Sequence, residues 1–340
     1  MTIMKTFLAT TGAGVARATG TRTGHWSVDL VLAGRDVRCL AANPRRSGVV
    51  YAGTQNHGVL LSEDNGCTWQ SAGLAGHCVK SLAVSESEPG TLYAGTRPPM
   101  VFVSRDDGAT WTELQGFRRV RAPWWFSPAD GRPFTPYVQG IALSPANPKL
   151  LLVGIELGAV LRSVDGGESW EKHRPGALRD CHSLINHATH KDWFYEGGGT
   201  GAGVAFSRDA GKTWQQPGAG LDRHYGWAVA ADPARPEVWY ASLSHMFSRK
   251  QPGVPAAHID GHAEAFIFRS AGGAPWQKLG GGLPQPLAHM AYALLTDPEA
   301  PGHLYAGLSN GEVWHSANHG DTWIQMPFNL KGIHRALIML

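Results

Sequence analysis

The sequence predicts an all-β chain closed into a ring: a seven-bladed β-propeller in which residues 1–340 form one domain. Three observations carry that prediction. A short phrase, Ser-x-Asp-x-Gly-x-Thr/Ser-Trp, recurs along the chain. Each clear copy follows an apolar strand of common form. Each of those strands follows, at a constant offset, another apolar residue. One supersecondary unit repeated across a whole chain means a stacked or circular array.

The phrase is complete at residues 62–69, 104–111, 163–170 and 207–214, and again at 316–323 with Asn318 in place of the Asp. A copy at residues 270–276 is one residue short and lacks the Asp, and only a trace survives around residues 18–26. Its composition suits a tight turn between antiparallel strands. The turn's backbone N–H groups have no ladder partner, and an Asp side chain can accept them. The Gly two residues on takes a positive φ that a side chain would resist. The Trp packs its apolar body on neighbouring strands and offers one N–H to a carbonyl. Every element of the phrase has a structural task, so its carboxylates are not expected to be catalytic.

The strands before the turns read Val50-Tyr51-Ala52-Gly53-Thr54, Leu92-Tyr93-Ala94-Gly95-Thr96 and Leu151-Leu152-Val153-Gly154-Ile155. The series continues at residues 194–197, 239–242 and 304–307, with residues 6–10 as its first member. Eleven residues before each central aromatic (or Leu152) stand Leu40, Leu82, Ile141, Leu184, Val229 and Leu294. That offset marks an inner strand, a turn often carrying Asn-Pro or Asp-Pro, and the next strand. Four strands therefore repeat. The first unit lacks an inner strand, and the last is followed by a spare one at residues 332–340, in which Leu337 matches Leu40. The C-terminal segment is expected to pair into blade one and close the ring, removing exposed sheet edges.

The phrase resembles the Asp box of the BNR-repeat β-propellers, which include sialidases, xyloglucanase-type glycosidases, sortilin-type receptors and a photosystem assembly factor. The repeats cover essentially the whole chain, which most resembles bacterial BNR-like repeat proteins. The resemblance implies the fold more than an activity. Sialidases of this kind have six blades and an Arg-Ile-Pro motif; seven blades are counted here and that motif is absent. Xyloglucanase-type enzymes place catalytic aspartates in a cleft between two propellers, whereas the comparable loop, Thr54-Gln55-Asn56-His57, has no Asp. The photosystem factor is similar in blade number and is not an enzyme. Seven-bladed uronate lyases set a His or Tyr base opposite an Arg-bound carboxylate, a likeness of residue type alone.

Composition bounds the partners. The 43 Gly and 13 Trp suit turn-rich β structure, and a net charge of +3 with 17% charged residues is too weak to argue for nucleic acid. No stretch has membrane-spanning length. Residues 1–20 faintly resemble a signal peptide, but residues 6–10 are needed as a strand of blade one, so a cytoplasmic protein is expected. The four cysteines, Cys39, Cys67, Cys78 and Cys181, lack metal-type spacing and are read as reduced thiols.

Register also names a site. The turns with the Asp lie on one face, and loops on the other face gather over the central channel. Two residues before each inner-strand anchor come Arg38, Lys80, Gln139, His182, Trp227, Tyr292 and Arg335, all polar or amphipathic on otherwise aliphatic strands. Arg335, Arg38 and Lys80 belong to blades one, two and three, and three neighbouring cations suit a carboxylate, sulfate or phosphate. His182 is the expected general base, with Tyr292 or Glu156 as proton donor. The lead-ins to the inner strands carry His77, Arg179, Asp180, His224, Tyr225, His289 and His334; loops after the second strands carry His57, Arg97, Glu156 and His245. Substrate contacts are expected from Arg38, Lys80, Arg335, Gln139, Trp227, Arg97, His224 and Trp124. The residues dictate no particular cofactor and leave room for a divalent metal. If a divalent metal binds, His57, His77, His182, His224, His245 and His289 are its expected donors.

Two insertions, residues 117–136 and 246–264, break the repeat on that face. Loops of such length in a compact fold are lids, binding loops or partner surfaces. Trp124, Trp125 and Phe126 with Arg118, Arg119 and Arg121 are expected either to form a stacking wall or to hold a homo-oligomer together. The expected function is a lyase or hydrolase acting on an acidic sugar or another small carboxylate. The alternative is a non-catalytic scaffold binding a protein partner through the same face.

Overall fold

The computed structural model describes residues 5–21, 24–129 and 131–340. They form seven antiparallel sheets and almost no helix. Blade one is built from Leu337–Met339, Thr6–Thr10, Val15–Gly20 and Trp26–Val31, in that order outward. The C-terminal strand pairs with the first one, Leu337 opposite Ala9 and Met339 opposite Phe7. Blades two, three, six and seven are also four-stranded. Blades four and five have three strands each, their outermost strand reduced to single bridges, Arg162 with Glu171 and Phe206 with Gln215. Pro175 and Pro217 follow closely and lack the N–H a longer ladder needs.

The recurring turns work as their composition predicts. In the turn of blade two, Asp64 accepts from the amides of Cys67 and Thr68 and from the Thr68 hydroxyl at 2.6 Å. The Ser62 hydroxyl donates to Asp64 at 2.7 Å and accepts the Gly66 amide at 2.9 Å. Trp69 Nε1 donates to the Gly66 carbonyl at 3.0 Å. The same bonds recur around Asp106, Asp165 and Asp209. In the last turn the amide of Asn318 substitutes, its Nδ2 now donating to Thr322 Oγ1 at 2.9 Å.

Blades pack face to face through the second strands. Tyr51, Tyr93, Tyr195 and Tyr240 are essentially fully buried there. Burying a side chain of that size is worth about 1.5–3 kcal/mol. Tyr51 also sends its hydroxyl to Asp107 at 3.2 Å, tying blade two to the turn of blade three. Gly53 lets the next inner strand approach: a Cβ there would stand 2.5 Å from Cys39 Sγ and 2.7 Å from Val79 Cγ1.

The inner strands share one irregularity. Their pairing with the second strand slips between Val37 and Cys39, Val79 and Ser81, Val138 and Gly140, Cys181 and Ser183, Gly226 and Val229, and Ala291 and Ala293. The residues skipped are Arg38, Lys80, Gln139, His182, Trp227 with Ala228, and Tyr292. A bulged residue leaves the ladder and its side chain is re-aimed. In each of blades two to seven one β-bulge thus takes a polar or aromatic side chain out of the sheet at the channel, whereas the short inner strand of blade one pairs without a slip.

Candidate functional site

A cavity of about 600 Å³ opens at the channel mouth. Its wall includes Arg38, Tyr137, Glu156, Tyr225, Trp227, His258, Asp260, Tyr292, Asn310, His334 and Arg335. Arg335 forms part of its floor. From the lead-in to blade one, its Nη1 donates to Gln139 Oε1 of blade four at 2.7 Å and its Nη2 to the Tyr137 hydroxyl at 3.3 Å. Gln139 Nε2 donates in turn to the His182 carbonyl at 2.9 Å. Smaller spaces lie on the other side of these residues, one lined by Arg38, Lys80, Gln139, His182 and Arg335.

A relay of rings occupies another part of the wall. Tyr225 and His258 Nε2 are 2.9 Å apart, and His258 Nδ1 lies 3.3 Å from the Tyr292 hydroxyl. The Tyr292 hydroxyl donates to the Ala257 carbonyl at 2.9 Å, so its oxygen is an acceptor towards His258. That assigns the proton of a neutral His258 to Nδ1 and leaves Nε2 to accept from Tyr225. Burial pushes His258 down to about 4, with the field of His182 acting in the same direction. Burial pushes Tyr292 up to about 12 and raises Tyr225 as well. Trp227 stacks against this relay, 4.7 Å from the Tyr292 ring and 4.5 Å from that of His182.

Glu156 of the wall meets Asp180 and His182. His182 Nδ1 donates to the Gly226 carbonyl at 2.7 Å, and its Nε2 lies 3.4 Å from Asp180 Oδ2. Burial alone would lower His182, but Asp180, Glu156 and the Gly226 carbonyl together outweigh it and the net shift is upward. Burial would raise Asp180, and there His182 and the Leu157 amide prevail and lower it. Glu156 is raised, chiefly by burial.

Several expected site residues stand elsewhere or act differently. His182 has both nitrogens engaged and its side chain is only 2% exposed, so it presents no free base to the cavity. Lys80 is buried over the Tyr137 ring, 4.5 Å from its centre, and lines the space beneath the mouth with Arg38. Arg38 also pairs with Asp36 at 2.9 Å. Arg97 donates to the carbonyls of Thr135 and Pro133 and holds the 117–136 loop. Trp124 is exposed beneath the Arg179 guanidinium, and His224 is exposed on its loop; neither belongs to the cavity wall. Trp125 packs with Phe117 in the core of blade four, where a stacking wall or oligomer contact was expected.

The expected histidine metal set does not converge. His57 lies against Arg35, His77 packs edge-on to Phe102, His245 faces Glu264 at 3.8 Å and His289 bonds Asp260 at 2.8 Å. These side chains sit on loops of different blades around the rim. Among the described residues, the group whose donor atoms do converge is Glu156, Asp180 and His182. Sequence reasoning did not assign roles to Tyr137, Asp180, Tyr225, Asp260 and His258. Tyr137 directly follows the first insertion and His258 sits in the second, on a short 3₁₀ turn at Ala256–His258. Asp180 and Tyr225 were visible as polar lead-ins to inner strands, a signal shared with many residues outside the site.

No protein-family model matches the sequence, and no curated protein does. Solved structures match nearly the whole chain. The GH74 xyloglucanase from Xanthomonas campestris aligns with a TM-score of 0.70 at 19% identity, over 93% of this chain and 52% of its own. The GH74 enzyme of Niastella koreensis gives 0.69 at 16%, over 96% and 52%. The chain thus spans about half the length of these two enzymes, and 39% of an ancestral GH74 enzyme. YCF48 from Cyanidioschyzon merolae aligns with a TM-score of 0.56 at 12% identity, over 88% of this chain and 86% of its own. Among the described residues, no helix is long and apolar enough to cross a membrane. At these identities the likeness is one of fold: the chain is a seven-bladed β-propeller.

Proposed function

We propose that the channel mouth takes a small carboxylated molecule, such as an acidic sugar, and that the protein acts on it as a lyase. The observation that carries this reading is one cavity shared by two guanidinium groups, Arg38 and Arg335, and by the Tyr225–His258–Tyr292 relay. Guanidinium groups hold carboxylates by charge-assisted hydrogen bonds and neutralise charge that builds beside them. The relay supplies a neutral imidazole as proton acceptor and phenols as donors.

Elimination fits those parts. A proton on the carbon next to the bound carboxylate passes to His258 Nε2 once the Tyr225 hydroxyl turns aside. The electron pair left behind forms a carbon–carbon double bond and expels the oxygen substituent one carbon further on. That leaving oxygen takes a proton from a phenol, Tyr225 or Tyr292. The imidazole and phenol exchange the proton again through their hydrogen bond. Hydrolysis of the same class of substrate, with Glu156 as proton donor, is the neighbouring chemistry.

A second reading is a scaffold that binds a protein partner, or a second copy, through this face. One observation favours it: Trp124, Phe126 and Phe134 of the first insertion and Phe247 of the second remain largely exposed. YCF48, which resembles this chain in fold over most of its own length, has been solved bound to a D1 peptide. The test separates the two. Incubation with a panel of uronates and short uronate-containing oligosaccharides, followed by mass spectrometry, should reveal an unsaturated product. Tight binding of a peptide with no turnover of any panel member would favour the scaffold.

A further inference from the structure

Glu156, Asp180 and His182 come from blade four and the lead-in and inner strand of blade five, and the elimination above gives Asp180 and His182 no task. One donor atom of each lies within 4.8 Å of the others. Three donors on one ion, each about 2.1 Å from it, stand about 3.4–3.6 Å apart. His182 Nε2 and Asp180 Oδ2 are already 3.4 Å apart, so closing around an ion asks for a shift on the order of an ångström from the third donor. Glu156, which also faces the cavity, is the member with room to supply it.

The atoms turned away from the cluster are already tied, as ligands of a metal require. His182 Nδ1 donates to the Gly226 carbonyl at 2.7 Å, so Nε2 is the nitrogen turned inward, and an ion there would take the place of its proton. That Nε2 belongs to a side chain only 2% exposed and makes no hydrogen bond outside the cluster. A buried imidazole nitrogen aimed at two carboxylates is the donor that the cluster's acidity alone would not supply. Asp180 Oδ1 accepts the Leu157 amide at 3.2 Å, which leaves Oδ2 for the centre. The Tyr137 hydroxyl lies beside Glu156 and accepts from Arg335 Nη2 at 3.3 Å. Gly199 also matters here, because a Cβ at that position would strike Asp180 Oδ2.

We propose that Glu156, Asp180 and His182 together bind one divalent first-row transition ion, Mn²⁺ or Zn²⁺, in the wall of the channel mouth. Imidazole and carboxylate oxygens are donors both ions accept. Two carboxylates and one neutral imidazole balance the charge of a divalent ion. Three protein ligands leave positions open, and Glu156 directs them towards the cavity, where the ion would polarise an oxygen of whatever binds there. Ion binding requires neither Arg38 nor a carboxylate substrate, so it stands or falls separately from the lyase reading.

The test uses the full chain, stripped with a chelator and dialysed against about 100 µM Mn²⁺ or Zn²⁺, a concentration at which a micromolar site raises the melting temperature by mass action. Wild-type protein is expected to retain one ion per chain by elemental analysis and to melt higher with the ion than without. Glu156→Gln and Asp180→Asn, each close in shape to the residue replaced, should weaken the ion's affinity at least about 10-fold. Arg38→Ala should retain the ion. The proposal is overturned if the stripped wild type takes up neither ion and its melting temperature does not move. It is equally overturned if both carboxylate variants bind as tightly as wild type, because the ion then sits elsewhere.

Discussion

Arg335 crosses from blade one to blade four, where its Nη1 meets Gln139 Oε1 at 2.7 Å. The two residues are 196 apart in sequence and occupy the same register position of their repeats. Gln139 then reaches the His182 carbonyl of blade five. Side chains of blades one and four and a backbone carbonyl of blade five are thereby linked beneath the mouth.

Arg38→Ala should weaken binding of a small carboxylate by about 1.5–3 kcal/mol, the scale of a hydrogen bond to a charged group. Isothermal titration with a uronate measures it directly. Unchanged affinity would place the anion away from Arg38.

His258→Ala is expected to lower turnover by about 10²–10⁴-fold with affinity largely kept, because a proton acceptor acts mainly in the transition state. Tyr292→Phe removes the acceptor of the Nδ1 proton and should lower turnover less. The comparison needs kcat and KM for each variant, together with the wild-type pH profile. His258 is held near 4, so activity that depends on the neutral ring should persist down to about pH 4–5 and fall below it.

Residues 332–340 can be deleted to test ring closure. The deletion removes the partner of Thr6–Thr10 and takes Ile333, Leu337 and Met339 out of a core shared with Phe7 and Tyr305. Loss of soluble, cooperatively melting protein is expected. A truncated chain with the wild-type melting temperature would contradict the pairing.

Much of this architecture was legible because it repeats. The offset between Leu40 and Tyr51 returns in blade after blade, and it placed Leu337 correctly opposite the first strand. The same offset picked out Arg38, Lys80, Gln139, His182, Trp227 and Tyr292, which the structure shows at the slips of the inner strands. What register could not reveal is which of them face the mouth and which face one another. Lys80 points at Tyr137 of the next repeat and His182 at Asp180 of its own lead-in, orientations that no spacing encodes. His258 and Tyr137 lie at or beside insertions, where the repeat offers no alignment. The rim histidines share a face with the site, yet their loops diverge, so counting them overstated their convergence.

The turns make an acid-stability prediction. Hydrogen bonds from the Thr68 hydroxyl and amide, aided by Ser62 and Cys67, hold Asp64 down to about 2 against the opposing effect of burial. A carboxylate lowered on folding contributes stability above its unfolded value near 3.8, and that contribution is lost as pH falls through about 2. Asp64→Asn, which imitates the natural Asn318 turn, should therefore show a shallower fall in melting temperature between about pH 4 and 2. Ser104→Ala tests the same turn in blade three: it strands the buried Gly108 amide and should cost about 1–3 kcal/mol. Denaturant melts at neutral pH report that loss.

The most direct test of the channel mouth as a carboxylate-handling site is calorimetric titration of the wild-type protein with a uronate panel, each mixture then analysed for product by mass spectrometry. Saturable binding that Arg38→Ala weakens at least about 10-fold, with an unsaturated product that disappears in His258→Ala, is the predicted result. No heat and no product from any uronate or simple carboxylate at millimolar concentration would contradict the account.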